Sequence, residues 1–187
     1  MIKKIKIADF TEIRFGLYEQ SSPTGEVAYL QVKQFNEEGV MVRPPDEFIE
    51  LTPKNQTHIL LDGDILFAGK GNRLVAWCYR QIDKPAIASS IFFVLRPDLT
   101  KVYPEYLVAI LNAPSSKEAF RQIGAGTNIL SIRKSELGAF EVPLPALEQQ
   151  QKIAALAAIH QQEIVLAEQL IQQKKQLYTA VISQLVK

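Results

Sequence analysis

Apolar and polar residues follow two different patterns along this 187-residue chain. Up to residue 145 the apolar runs are short and are separated by turn-forming glycine, proline, asparagine and aspartate, which is typical of a domain rich in strands. The runs predict strands at residues 2–7, 27–32, 40–42, 59–61, 65–68, 74–79, 90–95 and 140–142. Two helices are predicted, at residues 104–111 and 115–123. We therefore expect one α+β domain over residues 1–145.

Residues 146–187 follow the second pattern. They contain no glycine or proline and are compatible with helix over 42 residues, about 60 Å at 1.5 Å per residue. One stripe at helical spacing, which we call the seam, consists of Ile153, Leu156, His160, Ile164, Ala167, Ile171, Lys174, Tyr178, Val181 and Leu185. His160 and Lys174 are its polar members, and Leu166, Leu170 and Leu177 widen it. Such a sustained stripe predicts a coiled coil, since a helix folded back along its own small domain would overhang it.

Composition sets four limits. Apolar residues make up 47% of the chain, which indicates a folded protein. No apolar run reaches about eighteen residues and the first six residues lack the features of a signal peptide, so we expect a cytoplasmic protein without membrane contact. The single cysteine, Cys78, lies in an apolar run and is expected to be a small buried hydrophobe. The net charge of +1 argues against binding to polyanions through bulk charge.

Positive charge is concentrated locally, because residues 67–82 and 119–135 contain basic residues and no acidic ones. Each stretch includes a glycine-rich loop where the backbone can approach a ligand closely. Lysine and arginine contact phosphates or guanine, and asparagine pairs with adenine in a major groove. The candidate DNA-binding residues are Lys70, Asn72, Arg73 and Arg80 in one loop region and Thr127, Asn128, Arg133 and Lys134 in the other. Each loop is also compatible with an ordinary strand connection or helix cap.

Catalytic constellations are absent from the sequence. It contains no phosphate-binding GxxxxGK[ST] loop, no GxGxxG, HExxH or GxSxG motif, and no cluster of cysteine and histidine at metal-ligand spacing. Asp62 and Asp64 flank Gly63, where a tight turn explains them better than paired acid-base chemistry. We therefore expect a protein that is not an enzyme and needs no metal or cofactor.

Several segments, taken in chain order, resemble the specificity subunit of type I restriction-modification systems. They are residues 62–67 (Asp-Gly-Asp-Ile-Leu-Phe), 88–90 with 93–97 (Phe-Val-Leu-Arg-Pro), 103–107 (Tyr-Pro-Glu-Tyr-Leu), 126–132 (Gly-Thr-Asn-Ile-Leu-Ser-Ile) and 142–150 (Val-Pro-Leu-Pro-Ala-Leu-Glu-Gln-Gln). The last segment, followed by Lys152, Ile153 and a long helix, is the most specific. The resemblance extends over residues 62–187 and is only general over the first 60.

A member of that family has two recognition domains and two long helices, with one domain for each half of a split DNA site. This chain has one of each, which implies a half-subunit that pairs with a second copy, the long helices running antiparallel. The resemblance implies double-stranded DNA with a split palindromic site as the ligand. It also implies methyltransferase and restriction/translocase subunits as partners, which would hold the catalytic motifs missing here.

Two other interpretations stay open at this point. The chain could be a coiled-coil scaffold or a regulatory remnant of such a complex, which binds protein and does not read DNA. An enzyme with an unfamiliar pocket is disfavoured, because no catalytic constellation supports it.

Overall fold

The computed structural model describes residues 3–71, 73–81, 84–123 and 130–186. Within these ranges the strands are β1 (Lys4–Lys6), β2 (Thr11–Phe15), β3 (Val27–Leu30), β4 (Phe48–Ile49), β5 (Ile65–Ala68), β6 (Val75–Cys78), β7 (Ala86–Ala88), β8 (Phe92–Pro97) and β9 (Glu141–Pro143). The helices are α1 (Pro104–Asn112), α2 (Pro114–Ile123), α3 (Lys134–Ala139) and α4 (Leu147–Leu185).

Three sheets are formed by the described strands. The largest has the order β2-β8-β5-β6, and every neighbouring pair in it is antiparallel. Its register places Phe15, Phe93, Phe67 and Ala76 in one row across the sheet. A second sheet has the order β4-β3-β7, in which β3 runs antiparallel to β4 and parallel to β7. Strands β1 and β9 pair antiparallel and bring the two ends of the domain together.

Besides a small cluster of Val27, Tyr29, Ile49 and Ile87, the core of the described residues has two parts, one on each face of the four-stranded sheet, because successive residues of a strand point to opposite sides. On one face, Phe67 and Phe93 are buried in a cluster with helix residues that include Leu107, Phe120 and Leu137. The other face is covered by the β4-β3-β7 sheet. That second cluster includes Leu66, Ala68, Val75, Phe92 and Val94 together with Ala28, Leu30, Ala86 and Ala88.

The structure confirms the α+β class and the long C-terminal helix but changes several predicted elements. The strands predicted at residues 40–42 and 59–61 are wrong, because residues 40–42 form only an isolated bridge, between Met41 and Phe35, and residues 59–61 are irregular chain. Leu60, for example, donates its N–H to the carbonyl oxygen of Ala86 (2.9 Å) outside any strand ladder. Strands β2, β4 and β7 and helix α3 were not predicted. These elements are short, and pairing with partners that are remote in sequence outweighs their weak local preference.

Helix α4 is anchored at its N-terminal end. Its first turns pack against α1, where Gln150 and Ala154 are buried. The whole helix has 39 residues and is about 58 Å long. From Leu166 to Val186 every residue is exposed. Among the helices that the structure describes, none is long and apolar enough to cross a membrane.

Candidate nucleic-acid interface and dimerisation surface

Two loops that are remote in sequence lie side by side at one end of the four-stranded sheet. Lys70, in the turn between β5 and β6, pairs with Ser131 in an isolated antiparallel bridge. Ile132 donates its N–H to the carbonyl oxygen of Gly69 at 2.8 Å. The two basic loops expected from the sequence therefore form one surface over their described residues.

The glycines of the first loop have different structural roles. Gly69 passes close to the ring of Phe93, where a Cβ atom would lie only 2.7 Å from Cε2. Gly71 has a φ of +91°, a conformation that favours glycine, and no atom of the residues that the structure describes lies within 4 Å of where its Cβ would be. Its N–H donates to the carbonyl oxygen of Leu130 at 2.9 Å. This hydrogen bond fixes the backbone of the turn at Gly71 against the second loop.

Two basic side chains belong to this turn. Lys70 is exposed. Arg73 is also exposed, and its Nη1 donates to the carbonyl oxygen of Phe35 at 2.8 Å. Because a guanidinium carries five N–H donors, this hydrogen bond orients Arg73 and leaves donors for a phosphate or a base.

The second loop adds two more basic side chains. Arg133 is exposed, and its backbone N–H donates to Oε2 of Glu136 (2.7 Å), which caps the start of α3. The Nζ atom of Lys134 lies 5.9 Å from the ring centroid of Phe15, within cation–π range. Phe15 is half exposed, and its ring centroid is 5.2 Å from that of Phe93.

We call this surface the basic end and define it as Phe15, Lys70, Arg73, Arg133 and Lys134. The sheet register supports the grouping, because Phe15 lies in the row of Phe67 and Ala76, one row before the last residues of the β5–β6 pair. An exposed aromatic ring beside Lys134, at the end of the sheet that carries the other cations, is a combination suited to nucleic acid, since cations contact phosphates and the ring can contact bases.

One carboxylate lies on the same edge strand. Arg14 donates to Glu12 through Nε (2.8 Å) and Nη2 (2.9 Å). This hydrogen bonding holds the pKa of Glu12 below its ordinary value, so the carboxylate is ionised and already paired at neutral pH. Arg14 therefore compensates the nearest negative charge of β2.

Arg80 is separated from the basic end, at the opposite end of the β5–β6 hairpin. Its Nη1 donates to Oδ2 of Asp62 at 2.7 Å, and its Nη2 donates to Glu105. Hydrogen bonds from the Gln81 N–H and from Arg80 hold the pKa of Asp62 below its usual range. The expected grouping of Arg80 with Lys70 in one loop region is therefore wrong, because two carboxylates hold the Arg80 side chain elsewhere.

Three further candidates, Asn72, Thr127 and Asn128, lie outside the described residues. Phe15 was not among the candidates, because strand β2 was not predicted. A signal was nevertheless present, since residues 11–15 alternate Thr, Glu, Ile, Arg and Phe. That alternation is typical of a strand with one buried face.

The seam forms the second candidate surface. Nine of its ten residues are exposed in the single chain, and Ile164 is half buried. The residues that bury α4 against its own domain lie in its first turns, where Gln150 is fully buried and hydrogen-bonds Tyr103 and Lys101. Helix α4 therefore contacts its own domain near its start, and further along the described residues leave the apolar seam largely uncovered.

A comparison with known protein families identifies the type of domain. The model of the type I restriction modification DNA specificity domain matches residues 2–176. A search of curated proteins found no match.

Solved structures share the fold. A chain from a type I R-M system, studied for complex assembly and conformational transition, aligns with a TM-score of 0.66 and 18% identity over 90% of this chain and 40% of that one. The HsdS subunit from Thermoanaerobacter tengcongensis aligns at 0.59 and 17% identity over 88% and 38%. The type I restriction-modification S subunit from M. genitalium aligns at 0.59 and 20% identity over 91% and 41%. This chain thus spans about two fifths of the length of each.

Proposed function

Because the chain belongs to the family of type I restriction-modification DNA specificity domains, we propose that it reads DNA sequence for a type I system. In this proposal residues 1–145 recognise one half of a split site, and residues 146–187 pair with a second copy. The homodimer would read a bipartite palindrome and direct methyltransferase and restriction/translocase subunits to it. The chain itself would carry out no catalytic step.

The observation that carries this proposal is the basic end. Lys70 and Ser131 join two loops with basic and small side chains into one surface, and the open turn at Gly71 lets a phosphate or base edge approach the backbone. Phe15 adds an exposed ring that can contact a thymine methyl group or a base face.

The net charge of +1 fits a recognition domain that does not hold DNA alone. Phosphate contacts supply most of the salt-dependent affinity of DNA-binding proteins. If partner subunits enclose much of the duplex, a few base contacts and phosphate contacts from the basic end suffice. A free half-subunit should then bind DNA weakly, and the complete complex should bind it tightly.

A selection experiment tests the proposal. The chain, co-expressed with its methyltransferase partner, is used to select bound duplexes from a randomised pool. We expect recovery of a split palindrome, since two copies related by a two-fold axis present the same surface to each half-site. No enrichment above the methyltransferase alone would favour the protein-binding scaffold instead.

Single variants then locate the reading surface. We expect Arg73→Ala to weaken binding by about 1 to 3 kcal/mol and to relax specificity at one position if Arg73 reads a base. Uniform weakening across sequences would make Arg73 a phosphate contact. The matched control is Lys101→Ala, which removes one positive charge near Asp98, beyond β8 at the other end of the sheet, and should leave the selected sequence unchanged. Equal losses for the two variants would exclude the basic end as the reading surface.

A further inference from the structure

The exposed face of α4 has a regular heptad spacing. From His160 to Leu185 the seam residues follow one another at intervals of four and three. In the usual lettering, Ile164, Ile171 and Tyr178 occupy a positions, and Ala167, Lys174 and Val181 occupy d positions. The residue that follows each d position occupies the e position. The e residues pack against the domain only near the start of the helix, where Ala154 is buried and Gln161 is half buried.

Further along, the same flank carries charge. Glu168 and Lys175 both occupy e positions and are exposed. Among the residues that the structure describes, neither has an ion-pair partner, whereas Lys152 pairs with Glu148 at 2.6 Å on the first turns of the same helix. One negative and one positive side chain, a heptad apart, are therefore available to another molecule.

We propose that α4 pairs antiparallel with α4 of a second copy in one register, in which Glu168 of each copy faces Lys175 of the other. This inference rests on the homodimer of the proposed function and adds the register that defines it. The two-fold axis stands perpendicular to the plane of the two helices, so each e flank faces the e flank of the second copy. In this register Ile171 packs against Lys174, Ala167 against Tyr178 and Ile164 against Val181.

The layers of this register are complementary in size and polarity. Small Ala167 lies opposite large Tyr178, and the methylene groups of Lys174 cover Ile171 while its ammonium group extends to solvent. On the other flank, Leu170 lies opposite Leu177. Those leucines are exposed in the single chain and would be covered by the second copy.

Charge distinguishes this register from its neighbours. Sliding one helix by a heptad in one direction places Glu168 opposite Glu168 of the second copy. Sliding it by a heptad in the other direction places Lys175 opposite Lys175. Like charges at these positions are destabilising, whereas opposite charges at the flanks of a coiled coil set partner and orientation. The occupant that fits this self-complementary face is therefore a second copy of the chain.

Charge reversal tests the register. We expect Glu168→Lys and Lys175→Glu each to weaken self-association of the full chain about tenfold or more, because both symmetric contacts become repulsive. An equimolar mixture of the two variants should form a heterodimer, since both of its contacts are attractive again. The double variant should regain the homodimer. Sedimentation velocity measures association, and native mass spectrometry of differently tagged chains identifies the heterodimer.

The matched control is Glu163→Lys, the same charge change at an exposed position that faces Gln184 in this register. We expect little effect from it. Two results would overturn the proposal in distinguishable ways. A wild-type dimer that none of the charge variants affects would exclude this register but keep the homodimer. A wild-type chain that stays monomeric at high concentration, or that pairs only with the methyltransferase subunit, would exclude self-pairing altogether, including that part of the proposed function.

Discussion

The globular domain and the distal part of helix α4 differ in how they cover apolar side chains. In the domain, Phe67 is 1% exposed and Leu107 is fully buried, whereas Leu177 and Tyr178 on the helix are 65% and 70% exposed. Burial of a large apolar side chain contributes about 1.5 to 3 kcal/mol, so the domain already has this stabilisation within one chain. The helix obtains it only when another molecule covers the seam, since an exposed apolar stripe of this length marks an interaction surface.

This difference separates two kinds of stability. Substitutions in the domain should lower the free energy of unfolding at any protein concentration. Substitutions in the seam should change association. They should change the free energy of unfolding only to an extent that depends on the concentration of the partner.

The largest effect is expected from Asp64→Ala. Asp64 is buried, and it accepts hydrogen bonds from Arg96 Nε (2.8 Å) and Nη2 (2.6 Å) and from the Leu61 N–H (2.8 Å). Removal of one partner from a buried ion pair costs about 3 to 5 kcal/mol, because the other charge is left uncompensated. Urea unfolding measures the loss. The control is Asp62→Ala, whose ion pair with Arg80 is exposed and should contribute about 1 kcal/mol or less.

A smaller effect is expected where the helix meets the domain. Gln150 is fully buried, accepts a hydrogen bond from the Tyr103 N–H (2.9 Å) and donates to the carbonyl oxygens of Lys101 (3.0 Å) and Pro145 (2.8 Å). Gln150→Ala leaves these backbone groups without the amide, and we expect a loss of about 2 to 3 kcal/mol in urea unfolding. Exposed Gln151→Ala should stay within about 0.5 kcal/mol of wild type. Equal losses would mean that the helix is not anchored through Gln150.

These contacts explain why the sequence resemblance predicted the fold better than the site. Two of the recognised segments meet in the Asp64–Arg96 ion pair. Two others meet where Gln150 contacts Tyr103 and where the Tyr106 hydroxyl donates to the carbonyl oxygen of Pro143 (2.6 Å). The recurring residues of these four segments thus hold strands and helices together. Their side chains are structural, and they do not by themselves locate the surface that contacts a ligand.

Helix α4 was predictable because 42 residues without glycine or proline repeat one period, which is a local signal. The pairing of Lys70 with Ser131 was not, because it joins loops remote in sequence and depends on the complete sheet. The displacement of Arg80 has the same cause, since Glu105, which holds it, comes from helix α1. Local patterns predicted which residues are basic, and the tertiary structure determines which of them share a surface.

The weakest expected effect concerns Cys78. Its thiol allows the domain to be compared with the exposed helix through the reactivity of one chemical group. Burial raises the pKa of the Cys78 thiol to about 11. Because the thiolate is the reactive form, alkylation by iodoacetamide at pH 8 should be slow and should accelerate only toward pH 11. The matched control is Gln172→Cys in a Cys78→Ala background, which places a thiol on the exposed helix. That thiol should react rapidly at pH 8, near the behaviour of a free cysteine.

The same shift predicts the direction of a pH dependence. The folded chain favours the neutral thiol, whereas the unfolded chain ionises it near pH 8.5. The stabilisation is therefore fully present below about pH 8.5 and is lost as the pH rises toward the folded pKa of about 11. Urea unfolding of wild type and of Cys78→Ala at pH 7 and pH 10 isolates this contribution. Wild type should lose more stability than the variant between the two pH values. Equal losses, together with rapid alkylation of Cys78 at pH 8, would show that this part of the domain is as open to solvent as the distal helix.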